Sequence, residues 1–257
     1  MCIRDRHEGL DKQIRKADSS LESNPDDRVE LFNRATLHFH HRDYDKALVD
    51  VVRLESLTPI HPKCYLLKAR VLMAIEKNEA AKVSLEKFFQ ITPESIDGYL
   101  LRCKLNDLTG EGGNAIADAR MAIQLAKKRP LSSYLNLIAM ERKYGTKASA
   151  AATFMEVKQV IGATPTLLGI EAEWLADTGE LEKAAIVYAE IREKNPTLSF
   201  TIFLDEAIMW SEYANYKRAH EAKIEAKEAW ERLSPKIRQR KAMVEKYNAL
   251  IESLKKQ

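Results

Sequence analysis

Apolar positions along this chain recur at helical spacing, interrupted at regular intervals. In residues 179–196, GELEKAAIVYAEIREKNP, Ala184, Val187, Tyr188 and Ile191 fall on one helical face. Glu182, Lys183, Glu190 and Arg192 lie mostly off that face. Gly179 admits the positive φ that ends a preceding helix. Asn195-Pro196 ends this one, because proline disfavours helical backbone in the residue before it. Residues 42–59, RDYDKALVDVVRLESLTP, repeat the unit, with Ala47, Val51, Leu54 and Pro59 at the same offsets. The central small residue recurs as Ala47, Ala81, Ala115, Ala150, Ala184 and Ala219, in steps of 34 or 35. Sixteen residues before each stands a large apolar one: Leu31, Tyr65, Tyr99, Tyr134, Leu168 and Phe203. Twelve residues before stand Ala35, Ala69, Cys103, Ile138, Ala172 and Ala207, five of them small. Two registers agreeing over six copies define an internal repeat.

The pattern predicts two antiparallel helices per copy, with turns at 42–43, 77–78, 109–114, 144–147, 178–179 and 214–215, where Gly, Asn and Asp are frequent. Ahead of them, Leu10, Ile14, Ala17 and Leu21 make 10–23 the second helix of a repeat without its first. After them, 235–254 reads as one helix with a stripe of Ile237, Val244, Tyr247, Ile251 and Leu254. Such a helix suits the terminal cap that a stacked array needs.

A large residue, a small one four later, then Ala-x3-aromatic and a proline is the pattern of the tetratricopeptide repeat. The chain resembles that family over 28–231. Copies one, two and five match best, ending in Ala47/Val51/Pro59, Ala81/Leu85/Pro93 and Ala184/Tyr188/Pro196. Pro130 and Pro165 come three residues late, and Lys223 replaces the aromatic in copy six. The family's leucine before the small residue is kept only as Leu137; Arg34, Lys68, Arg102, Glu171 and Glu206 stand there otherwise. The resemblance implies an all-α, right-handed superhelical solenoid of helix–turn–helix repeats. Its parts are a half-repeat at 7–27, copies at 28–61, 62–95, 96–130, 131–164, 165–198 and 199–233, and a capping helix at 234–257. Residues 1–6, MCIRDR, fall outside the pattern and read as a non-native leader that resembles translated sequencing adapter. The true N-terminus is then expected to be missing.

Composition changes this picture little. Forty-five per cent hydrophobic and 31% charged residues suit a chain that buries a core and stays in water. Three scattered cysteines make no disulfide framework, and Cys103 occupies a small core slot. The net charge is only +3, but 234–257 carries seven Lys/Arg against two Glu. Tyr247 is the one aromatic there and lies on the apolar stripe, so a base-stacking platform is lacking and nucleic acid is disfavoured as a partner. No apolar run reaches the length of a membrane span.

Candidate chemistry is sparse. His38 and His41 share a helix face at a spacing that can grip a metal, yet no Cys or acidic ligand completes a set. Residues 110–114, GEGGN, lack the strand and the Gly-Lys-Ser/Thr of a phosphate loop and fall at a repeat turn. No nucleophile-elbow, zinc-protease or Cys-x-x-Cys motif occurs. No catalytic residue, cofactor or metal is expected, and the chain reads as a non-enzyme.

In the family, first helices of successive copies line a concave groove that holds a partner protein's segment. By position, the resemblance places Phe32, Thr36, Phe39, His40, Leu66, Arg70, Met73, Leu100, Lys104, Leu135, Arg142, Lys143, Glu173 and Asp177 there. Arg70, Lys104, Arg142 and Lys143 are suited to carboxylates. The chaperone-tail clamp of the family is not matched, since Leu67 and Leu101 stand where polar groups are wanted. The expected function is a monomeric scaffold for a protein or peptide. The alternatives are an adaptor for an anionic ligand, nucleic acid or membrane surface, and the regulatory fragment of a longer enzyme. The ending is similar to that of exported bacterial repeat proteins, which implies an envelope or periplasmic location if a signal has been lost, and a cytoplasmic one otherwise.

Overall fold

The computed structural model describes the backbone of residues 3–255 and the side chains of residues 9–255. Every regular element among them is helical. Of the proposed leader, residues 1 and 2 lie outside the described residues, and 3–6 form the first turn of α1 (Ile3–Ser23). The chain divides into two compact units, Met1–Thr146 and Lys147–Gln257. The division falls inside the fourth copy.

Unit 1 contains α1, then α2 (Arg28–His41), α3 (Tyr44–Ser56), α4 (Lys63–Ala74), α5 (Asn78–Ile91), α6 (Ile96–Leu108), α7 (Gly112–Leu125) and α8 (Leu131–Tyr144). Each helix packs on the next, and α4 also lies beside both α2 and α6. Unit 2 contains α9 (Lys147–Ile161), α10 (Pro165–Asp177), α11 (Leu181–Lys194), a 3-10 turn at Pro196–Leu198, α12 (Ser199–Glu212), α13 (Tyr216–Glu231), α14 (Pro235–Arg238) and α15 (Lys241–Lys255).

The recurrent alanine is at most 2% exposed in all six copies. A side chain larger than a methyl group there would hold the paired helices apart. Its partners Leu31, Tyr65, Tyr134 and Leu168 are buried, while Tyr99 and Phe203 are half-buried. The turn within a copy has its own recurrent geometry. Arg42, Glu76, Gly110, Gly179 and Ala214 adopt φ between 57° and 80°. The next residue donates its N–H five residues back: Asp43 to His38, Lys77 to Leu72, Glu111 to Asn106, Glu180 to Leu175 and Asn215 to Trp210, at 2.7–2.9 Å. These bonds satisfy carbonyls that the helix end would leave open. The fourth copy differs: Gly145 is extended, with φ −76° and ψ 176°.

The missing leucines have a physical explanation. Within each junction between copies, one position on the second helix meets one on the following first helix, 13 or 14 residues later. Glu55 pairs with Lys68. The Arg102 guanidinium lies 4.3 Å from the centre of the Phe89 ring. Ile123 and Leu137 hold the two positions next and are both buried. Lys158 then pairs with Glu171 at 2.8 Å, and Arg192 with Glu206. Arg34 and Arg102 also reach within their own copies, where Asp50 and Asp118 accept two hydrogen bonds each or more at 2.6–3.2 Å. Bonding to Asp50 and Asp118 pushes both guanidinium pKa values further up. A leucine at these positions would leave buried Asp50 and Asp118 without their cation.

The C-terminal segment departs from expectation. The chain breaks at 239–240, so α14 and α15 replace one helix. Ile237, Tyr247 and Leu254 of the expected stripe keep their place on the inner face, joined by Met243 and Leu250. Met243, Tyr247, Leu250 and Leu254 pack with Ile237 against Phe200 and Trp230, and Tyr247 stacks on Trp230 at 4.4 Å and 10°. Val244, assigned to the stripe from the sequence, is 37% exposed.

Candidate functional site

Three first helices of unit 1 converge on a surface pocket of about 560 Å³. Phe39 comes from α2, Arg70, Met73 and Ala74 from α4, and Asp97, Leu100, Leu101, Lys104 and Leu108 from α6. Tyr44, at the start of α3, closes one wall, with its ring centroid 5.8 Å from that of Phe39. The convergence follows from the repeat: Arg70 and Lys104 are 34 residues apart and occupy equivalent positions on neighbouring helices. Five of the residues assigned to the groove from the sequence therefore share one pocket: Phe39, Arg70, Met73, Leu100 and Lys104.

The pocket's cations differ from those packed at the junctions between helices. Lys68, Lys82, Lys87, Arg102 and Arg120 are all ion-paired within the chain. Arg70 and Lys104 are exposed and make no hydrogen bond or ion pair with any described residue. Asp97, on the rim, is likewise exposed and unpaired.

The other assigned residues are placed differently. Phe32 lines a second, largely apolar pocket of about 570 Å³ with Val29, Leu57, Ile60 and Pro62. Thr36 donates its hydroxyl to the Phe32 carbonyl at 2.8 Å. His40 is exposed, edge-on to Phe39. Leu66 is only 7% exposed and belongs to the core with Tyr65, Ala69 and Leu85, which corrects its assignment to the groove. Leu135 is exposed outside both pockets. Lys143 is held 2.7 Å from Asp107, which pushes its pKa up to about 12, and Arg142 is also engaged within the chain. The basic centre read from the sequence thus reduces to Arg70 and Lys104. Glu173 and Asp177 stand exposed on α10 in unit 2 and make contacts of their own.

Tyr44, Asp97 and Leu108 were not singled out from the sequence. A helical face through Leu100 and Lys104 extends to Asp97 and Leu108, so the spacing held that signal.

The histidines are divided among separate roles. His38 is 6% exposed, and burial pushes its pKa down. His41 sits between Asp11 at 3.2 Å and Asp43 at 3.3 Å. Among the described residues no three His, Cys, Asp or Glu side chains are grouped as a metal ion requires. Burial pushes the Cys103 thiol up to about 11, which keeps it protonated at neutral pH. No helix among the described residues is long and apolar enough to cross a membrane.

Paired helices, a 34-residue period and a pocket on the first helices define a helical-repeat protein. Solved structures place the fold further. No protein-family model matches the chain, and no curated protein does. A C-terminal part of a tetratricopeptide-repeat protein from Cytophaga hutchinsonii matches with a TM-score of 0.65 and 17% identity, over 93% of this chain and 98% of that one. A tetratricopeptide repeat protein from Parabacteroides merdae matches at 0.53 and 19%, over 75% of each chain. A chain of the Naa15/Naa10 complex bound to HypK-THB matches at 0.52 and 16%, over 88% of this chain and 36% of that one. The fold is that of the tetratricopeptide repeat proteins.

Proposed function

We propose that the chain is a non-catalytic scaffold that holds a segment of a partner protein on the first-helix face of unit 1. The observation that carries this reading is the pocket. Three copies contribute apolar side chains to it, and its two cations have no partner among the described residues. An unpaired arginine over an apolar floor gains charge-assisted hydrogen bonds when a carboxylate arrives. The fold supports the reading as well: the matched Naa15/Naa10 structure is itself an assembly bound to HypK-THB.

A photo-crosslinking amino acid at Leu100 tests it, with one at Val83 as the control. Val83 is 52% exposed on the second helix α5. In native lysate the Leu100 probe is expected to give a discrete protein adduct, lost in the Arg70→Ala/Lys104→Ala background. Arg142 and Lys143 are left intact because the chain already engages them. Equal adducts from both probes would overturn the assignment.

A further inference from the structure

We infer that this pocket selects an extended segment by charge order: a carboxylate at Arg70 and Lys104, an apolar side chain beside it, and a cationic or neutral residue, never an acidic one, at Asp97. The inference rests on the proposed scaffold function and names the partner's chemistry.

The argument starts from the face of α6. Asp97, Leu100, Lys104 and Leu108 follow one another along it. Seven residues separate Asp97 from Lys104, about 10 Å at a rise of about 1.5 Å per residue. The helix therefore presents acid, apolar, base and apolar groups in sequence. Arg70 and Met73 on α4 border the same pocket and add a second cation and a second apolar wall. Asp97, Arg70 and Lys104 all lack partners among the described residues, so each is left to a ligand or to water.

A partner that matches this order carries its own charges about 10 Å apart. In an extended strand, at about 3.3 Å per residue, that separation is about three residues. In a helical segment the same separation takes about seven residues, so the spacing of the charges in a bound peptide distinguishes the two. An extended segment of the type acid-apolar-x-base matches the order and separation of the charges. A like charge at either end is rejected, which gives the pocket direction as well as affinity.

The test is selection of ten-residue peptides from a random display library on the full chain, followed by binding measurements on synthetic versions of the enriched sequences. The expected consensus has Asp or Glu and, three residues away, Lys or Arg, with an apolar residue between. Arg70→Glu/Lys104→Glu is expected to weaken these peptides by roughly tenfold or more. Asp97→Lys is expected to shift enrichment toward peptides with acid at both ends. All three positions are exposed, so helicity and melting should match the wild type. Leu100→Trp and Leu108→Trp fill the pocket and identify where a peptide sits. Enriched peptides blocked by the tryptophans but indifferent to Arg70→Glu/Lys104→Glu would overturn the charge order and leave the scaffold function standing. Peptides that the tryptophans never block would overturn both. A dimer of the chain that either tryptophan dissociates would overturn the inference, since the pocket would then belong to a second copy.

Discussion

A methyl group separates two adjacent glycines of very different consequence. A Cβ on Gly112 would lie 2.3 Å from the Tyr144 ring, whereas one on Gly113 meets nothing within 4 Å. Tyr144 cannot yield freely, because its hydroxyl donates to the Asp107 carbonyl at 3.0 Å and is 2.9 Å from the Asp107 carboxylate. Gly112→Ala is therefore expected to destabilise unit 1 by about 1–3 kcal/mol. Gly113→Ala, inside the first turns of α7, should be neutral or stabilising by up to about 1 kcal/mol. Chemical denaturation of the two variants side by side checks this. The opposite experiment applies at Glu76, a non-glycine residue at φ 60°. Glu76→Gly removes a steric cost of roughly 1 kcal/mol and is expected to raise the denaturation midpoint.

At the level of the helix, the junction positions determine how neighbours dock. Glu171→Ala would strand the Lys158 ammonium, whose side chain is 30% exposed, and is expected to cost about 2 kcal/mol. Ile123 and Leu137 already occupy the equivalent positions one junction earlier. Lys158→Ile/Glu171→Leu copies that pair and should recover most of the loss, which a double-mutant cycle reads directly. The turn before α11 carries a pH-dependent contribution. Lys147 and Lys183 hold the Glu180 pKa down to about 2, from an ordinary value of 4.5. A depressed carboxylate stabilises the fold above its unfolded pKa and loses that contribution as pH falls from about 4.5 through about 2. Glu180→Gln should flatten the acid limb of melting temperature against pH. The difference should shrink in high salt, because the group is exposed to screening.

Across the molecule, what was legible in the sequence is what packing geometry repeats. The alanine is visible because close helix approach demands it in every copy, and the turns are visible because each must reverse the chain. The charges at Arg34, Lys68 and Glu206 read as departures because their partners lie 13 to 16 residues away on another helix, where no local pattern reaches. Leu66 read as groove because apolar groove and apolar core share one alphabet. The pocket was half legible: Arg70 and Lys104 follow from the period, but that Lys143 is engaged by Asp107 does not. The stripe of α15 was partly legible: Tyr247 and Leu254 belong to it, whereas the break at 239–240 and the packing of Met243 and Leu250 were not read. Removing α14 and α15 would expose Trp230 and Phe200. Truncation after Leu233 is expected to speed hydrogen exchange in α12 and α13 while α2 to α6 keep their rates, since stability in repeat arrays is local.

The junction pairs also impose a syntax on the copies. In the first two junctions the cation stands on the incoming first helix, at Lys68 and Arg102; in the last two it stands on the outgoing second helix, at Lys158 and Arg192. The uncharged Ile123 and Leu137 separate the two conventions. Recombination within either half joins compatible ends. Splicing the fifth copy directly after the first would set Glu171 against Glu55, and splicing the second after the fourth would set Lys68 against Lys158. Exchanges that bring like charges together at a junction are expected to weaken its docking, while those that keep opposite charges there should be tolerated.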